Sequence, residues 1–236
     1  PNFMDDGVVC RTHPTKQWVA YAAYTDNAVQ VVDVSDPKAP KIIGTARGTG
    51  GTDGYYLNHP HSLIFYEDWL VVVAGEDAAI SVLDVKDPNS DTWMGCLGNC
   101  AGAHGANGLY LYGVSDVAVQ QIGSSIYAFT CSRQDANRDN PTDVDSAGCL
   151  LCFDITDPPT MSLVGGAYCD EAPYDEANSW ELEGGTGIAI DTAHLVYIST
   201  RWQNRATQTY DSGLAIGSLT IFDVSNPATP VFKGCI

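Results

Sequence analysis

Hydrophobic positions in this chain fall in short runs that recur in register. Val29-Gln-Val-Val-Asp-Val-Ser-Asp-Pro-Lys-Ala-Pro-Lys-Ile-Ile-Gly44 is followed by three blocks of equal length, Ile80 to Gly95, Leu150 to Gly165 and Leu219 to Gly234. In each, an apolar run closes on an Asp (Asp33, Asp84, Asp154, Asp223), with a Pro (Pro37, Pro88, Pro158, Pro227) and then a Gly at fixed distances beyond it. The blocks align without a gap, and such a repeat specifies an architecture more strongly than any single motif. Within Leu219-Thr-Ile-Phe-Asp-Val both parities are largely apolar, which predicts a strand in a sheet covered on both sides. Asp36-Pro37, Asp87-Pro88, Asp157-Pro158 and Asn226-Pro227 then break the ladder, because Pro has no N–H to donate. A short second strand follows each turn, so every block is predicted to be a hairpin.

A second strand pair precedes every block. Its clear members are Trp18 to Tyr24, Trp69 to Ala74, Ile126 to Cys131 and Leu195 to Thr200, each after a shorter apolar run such as Leu63-Ile-Phe65 or Ile188-Ala-Ile190. Val8-Val9 and Val117-Ala-Val119 are the corresponding short runs of the first and third units. Four strands per repeated unit is the pattern of a propeller blade. The fold expected is all-β: four blades of four antiparallel strands, at approximately 1–47, 48–98, 99–168 and 169–236, in one domain closed alone or completed by another chain. Val-Val-Asp-Val-Ser-Asp-Pro and Ile-Phe-Asp-Val-Ser-Asn-Pro resemble the LVIVD repeat of secreted and surface propellers of bacteria and archaea. The resemblance covers all four units; it implies a propeller in a non-cytoplasmic setting and no common activity.

Charge narrows the partners. With 29 acidic and 11 basic residues the net charge is −18, which disfavours nucleic acids and anionic membrane surfaces. Eight cysteines without zinc-finger spacing fit disulfides in an oxidising compartment. One pairing is expected, Cys131 with Cys149, since one ends a strand and the other begins the next. The chain begins at Pro1, which suggests a removed leader, and has no apolar run long enough for a membrane span. Asn140-Pro-Thr is not a glycosylation sequon, because of its proline.

The repeats differ in their loops. The crossings 47–60, 98–113 and 169–185 and the loops 132–148 and 201–217 all fall on one face of the disc by blade topology, and function concentrates in such loops. On that face, Asp135, Asn137, Asp139, Asp143 and Asp145 place oxygen ligands at alternating positions, as at the start of an EF-hand calcium loop. Asn140 replaces the turn glycine and Ser146 the bidentate Glu. His59 and His61 stand where a crossing enters an inner strand, with Asp5, Asp6 and Asp116 as neighbours by blade equivalence, a candidate transition-metal set. Tyr174 and Trp180, beside Asp170-Glu171 and Asp175-Glu176, and Trp202 with Arg205 form a candidate binding face for protein or glycan. His104 and His194 are read as structural.

These features point to a secreted, disulfide-bonded module that binds an extracellular protein, a glycan or copies of itself, as a homo-oligomer or polymer, with calcium as its candidate cofactor. The alternative is a metal-dependent oxidoreductase or hydrolase with its site on the loop-rich face. No nucleophile elbow, phosphate loop or dinucleotide fingerprint is present in the sequence.

Overall fold

The protein, seen in a computed structural model, is described over residues 10–23, 27–48, 56–75, 77–87, 92–97, 111, 113–132, 148–168, 182, 185–201 and 217–236. Among the described residues, sixteen strands form four antiparallel sheets of four, each paired in chain order. Blade 1 holds β1 (Cys10–Thr12), β2 (Trp18–Ala23), β3 (Ala28–Asp33) and β4 (Lys41–Arg47). Blade 2 holds β5 (Pro60–Tyr66), β6 (Trp69–Ala74), β7 (Ala79–Asp84) and β8 (Thr92–Leu97). Blade 3 holds β9 (Val114–Ile122), β10 (Ser125–Ser132), β11 (Cys149–Asp154) and β12 (Ser162–Tyr168). Blade 4 holds β13 (Gly185–Ile190), β14 (Leu195–Arg201), β15 (Gly217–Asp223) and β16 (Val231–Cys235). The first strand of blade 1 is thus seen at Cys10–Thr12, while the Val8-Val9 run lies outside the described residues.

The repeated residues have repeated jobs. Each block Asp turns its carboxylate onto the backbone N–H two residues on: Ser35 for Asp33 at 2.9 Å, Lys86 for Asp84 at 2.8 Å, Thr156 for Asp154 at 2.9 Å and Ser225 for Asp223 at 3.0 Å. This Asx turn ends the strand before the proline does. The next residue donates back across the hairpin, Val34 to Gln17 O, Val85 to Asp68 O, Ile155 to Ile126 O and Val224 to His194 O, at 2.8 to 2.9 Å. The Ser225 N–H, its hydroxyl and the Lys233 ammonium hold the Asp223 carboxyl at about 2.

The block glycine marks a β-bulge. In each blade the outermost strand carries one unmatched residue (Ile43, Met94, Val164 or Lys233) just before Gly44, Gly95, Gly165 or Gly234. At Gly165 a second reason is visible: a Cβ there would lie 2.4 Å from Pro227 O and 2.6 Å from Ala228 O. The proline turn of blade 4 therefore seats on the outer strand of blade 3. The turn of blade 3, with its single 3-10 turn at Pro158–Thr160, packs in the same way on β8 of blade 2.

Side-chain parity builds the core between blades. One face of blade 1 (Ala20, Ala22, Val29, Val31) meets one face of blade 2 (Leu70, Val72, Leu83, Val85). The other face of blade 2 (Val71, Val73, Ile80, Val82) meets Ala128, Leu151, Phe153 and Ile155 of blade 3. Blade 3 then presents Phe129, Leu150 and Cys152 to Val196, Ile198, Phe222 and Val224 of blade 4. This parity corrects the expected Cys131–Cys149 link, which is not formed. Cys131 lies opposite Leu150 and packs toward blade 4, whereas Cys149 lies beside Ser132 and packs toward blade 2. Adjacent positions along a strand face opposite ways, so the two sulfurs sit on opposite sides of one sheet.

Replacing Gly165 with Ala should lower the unfolding free energy by about 1–3 kcal/mol, because the new methyl meets backbone atoms that cannot turn aside. Urea denaturation of the variant against the parent measures it; an unchanged midpoint would mean that the blade 3–blade 4 seam is looser than its geometry.

Candidate site at the channel mouth

The inner strands β1, β5, β9 and β13 line the channel, and three of them begin with a bulge at one level. The unmatched residues are His61 in β5, Ser115 in β9 and Thr186 in β13. Each bulge turns the residue that follows, Ser62, Asp116 or Gly187, into an equivalent position on its strand. Asp116 is the one carboxylate on these inner strands. Its Oδ1 accepts from Ser62 Oγ of blade 2 at 2.5 Å and from Val117 N at 2.9 Å, and its Oδ2 accepts from Ile188 N of blade 4 at 3.0 Å. Arg11 of blade 1 brings Nη2 to 3.8 Å from Oδ1. One side chain thus touches all four blades, and glycine at position 187 suits it: a Cβ there would meet Asp116 Oδ2 at 3.8 Å and Ser199 Oγ at 3.0 Å. Ser115 adds a parallel link, donating to Gly185 O at 2.6 Å.

The histidines of the motif are placed by backbone. His59 adopts φ 54°, its N–H donating to Asn27 Oδ1 at 3.0 Å and its carbonyl accepting from Gly75 N at 3.1 Å. The His61 ring lies where a Cβ on Gly75 would come within 2.6 Å of it. Blade equivalence does bring Asp116 to the residue next to His61, through Ser62. Among the described residues, however, no three His, Cys, Asp or Glu side chains converge as an ion would need. Asp5 and Asp6, the calcium candidates Asp135, Asn137, Asp139, Asp143 and Asp145, and the binding-face candidates Tyr174, Trp180, Trp202 and Arg205 lie outside the described residues. The His194 carbonyl accepts from Val224 N, and its Nδ1 is 3.4 Å from Gln120 Oε1 of blade 3.

Thiol chemistry at the mouth is suppressed. Burial pushes the Cys131 and Cys149 thiols up to about 12, against the opposing pull of Ser115 and Ser132. The neutral thiol is a poor nucleophile and metal ligand.

Sequence reasoning passed over His13. It is buried between blades 1 and 2, edge-on to Trp18 and Phe65 at 5.6 and 5.0 Å. Its Nδ1 accepts from Thr15 N at 3.1 Å and Lys16 N at 3.0 Å, so the neutral ring carries its proton on Nε2. That Nε2 has no hydrogen-bond partner and lies 3.7 Å from Asp68 Oδ1, an oxygen already engaged by Lys16 Nζ at 2.6 Å. Burial, and then the Lys16 ammonium, lower the His13 pKa, with Asp68 and the Glu67 carbonyl opposing. A lone His five residues before Trp18 was the available signal; it does not reveal a turn built on Nδ1.

A family model of the LVIVD repeat matches residues 19–47 and 214–236. Two stretches of the chain, in the first and last blades, are thus similar to the LVIVD repeat. No curated protein matches the chain. Among solved structures it is similar to a protein from Lactobacillus plantarum, with 17% identity and a TM-score of 0.62, over 96% of this chain and 56% of that one. A Bacteroides fragilis protein described as a candidate 6-phosphogluconolactonase matches with 12% identity and a TM-score of 0.57, over 97% and 54%. Hydrazine synthase of Kuenenia stuttgartiensis matches with 11% identity and a TM-score of 0.55, over 95% and 48%. At such identities the likeness is one of fold. The chain spans about half the length of the structures it matches.

Two expectations follow from the site. Asp116→Ala should cost about 1–3 kcal/mol for each buried donor left unsatisfied, notably Ser62 Oγ and Ile188 N. A melting temperature equal to the parent's would remove the carboxylate from its bridging role. For His13, the folded pKa is lowered, so the unfolded chain binds more protons at mildly acidic pH. Its contribution to stability is complete above the ordinary histidine value of 6.5 and declines as pH falls below it. Melting temperatures between about pH 8 and about pH 5 should fall in the parent and fall less in His13→Asn.

Proposed function

We propose that the LVIVD propeller is an extracellular structural and interaction module, binding a protein, a glycan or a copy of itself. One observation carries this reading. The inner-strand carboxylate, which a channel-centred hydrolase would present to its substrate, is engaged by Ser62, Val117, Ile188 and Arg11 in joining the blades. Chemistry that a catalytic acid or base needs, a group within reach of a reacting proton and able to exchange it, is taken up by fixed structural donors. The acidic surface, with net charge −18, supports the same reading by repelling polyanions and favouring a basic or neutral partner.

The rival is a hydrolase or metal-dependent oxidoreductase working from the same face. Incubation with 6-phosphogluconolactone, the substrate class named for one similar structure, separates the two. The module should leave lactone hydrolysis at its uncatalysed rate while showing saturable binding to immobilised extracellular proteins or glycans. Acceleration that disappears in Asp116→Asn would replace the module with a hydrolase.

A further inference from the structure

The turn between β1 and β2, residues 13–17, is fastened to blade 2 by two side chains. His13 is inserted in the seam, its side chain 2% exposed, edge-on to Trp18 and to Phe65 of blade 2. Lys16 places its ammonium 4.2 Å from the Trp18 ring centroid and 2.6 Å from Asp68 Oδ1, in the turn between β5 and β6. Pro14, Thr15 and Gln17 are exposed. The N–H groups of Thr15 and Lys16 end on His13 Nδ1, so the ring is the acceptor that closes the turn. Among the described residues, His13 is the one buried histidine.

The ring can take one more proton only at Nδ1, because Nε2 already carries the other. A proton there sets a new N–H against those of Thr15 and Lys16, so both bonds are lost at once. It also puts positive charge on Nε2, 3.7 Å from Asp68 Oδ1. That gap is too long for a hydrogen bond from the neutral ring and short enough for an ion pair with the charged one. Asp68 already holds Lys16, and two cations around one partly exposed carboxylate repel each other. The charged groups facing the ring are these two, Lys16 from its own turn and Asp68 from blade 2. Glu67 adds its backbone carbonyl, and Lys86, past β7, acts on Asp68. The aromatic neighbours, Trp18 and Phe65, do not titrate.

We infer that this turn is an acid-released latch across the seam between blades 1 and 2. On protonation, His13 lets go of the Thr15 and Lys16 amides and closes Nε2 onto Asp68. Lys16 gives up that carboxylate, and residues 14–17 swing away from blade 2, taking the ammonium off the Trp18 ring. The strands stay in place, since Ala20, Ala22, Leu63, Leu70 and Val72 hold the seam and none of them titrates. Burial of the ring, and then the Lys16 ammonium, set release below the ordinary histidine value of 6.5, so the latch is shut at neutral pH. Its product is a surface at Trp18, freed of its cation, that exists only in acid. By blade topology that surface lies opposite the long loops, so the latch is independent of what the loop-rich face binds.

Hydrogen exchange at the Thr15 and Lys16 amides of the intact chain, corrected for the pH dependence of intrinsic exchange, tests the latch. Between about pH 7.5 and about pH 5 their protection should fall about tenfold or more, while that of the β6 amides holds. In His13→Asn, whose side chain offers an acceptor oxygen and does not titrate, protection should not change with pH. Lys16→Met, at a partly exposed side chain, should move the midpoint of release to higher pH. It removes both the ammonium beside the ring and the tie of the turn to Asp68. The inference is overturned if the two amides stay protected at about pH 5, if β6 loses protection with them, or if the loss persists in His13→Asn. Should that variant fail to fold, Lys16→Met decides alone, and an unchanged or lowered midpoint overturns the latch.

Discussion

A β-sheet that is apolar on both faces is stable only if something covers both. This constraint organises the protein more than any single contact. Each blade has one parity facing its predecessor and the other facing its successor, and the three cores between blades are built from those alternating positions. At about 25 cal/mol per Å² of apolar surface removed from water, stacking blades is the main source of stability open to a repeat unit that cannot bury its own faces. Val32 and Ile221 are ordinary repeat residues; only their position in the series leaves them partly exposed.

Directional bonds keep the stack in register. Asp116 acts where the sheets come nearest one another, at the channel, and ties together backbone and side-chain groups of different blades. Buried hydrogen bonds of this kind contribute modestly when made and cost more when broken, so a single carboxylate with several donors is a point of high sensitivity. At the rim of the disc the proline turn and the bulge glycine do the corresponding work by shape. A turn fits against a backbone that has no side chain in the way. His13 adds a third kind of restraint at the blade 1–blade 2 junction: its ring accepts from two backbone amides only while neutral, which links that corner to pH.

The hairpins, the Asp that ends each third strand and the glycine eleven residues later were legible in the sequence because they are local. An Asx turn, a proline and a bulge depend on neighbours along the chain, so they recur wherever the residues recur. The candidate site was legible only in part. Blade equivalence brought Asp116 to the channel mouth beside the His59–His61 stretch, but not the four-way bonding that makes it structural. The Cys131–Cys149 expectation failed for a related reason. Proximity along a hairpin says nothing about parity, and the strand register that puts Cys131 against Leu150 also sends the two sulfurs to opposite faces.

What the sequence by itself determined is the unit: four strands, their order, the turn that joins the outer pair and the two-faced apolar pattern that forces units to stack. These follow from periodicity and from the backbone chemistry of Asp, Pro and Gly. Tertiary structure alone decided which residues meet across blades, because those contacts join positions more than fifty residues apart, such as Ser62 with Asp116 and Asp116 with Ile188. It also decided which copies of an identical pattern are buried and which are left uncovered. A repeat carries no mark of its place in the series, and only the geometry of stacking decides which of its faces is covered.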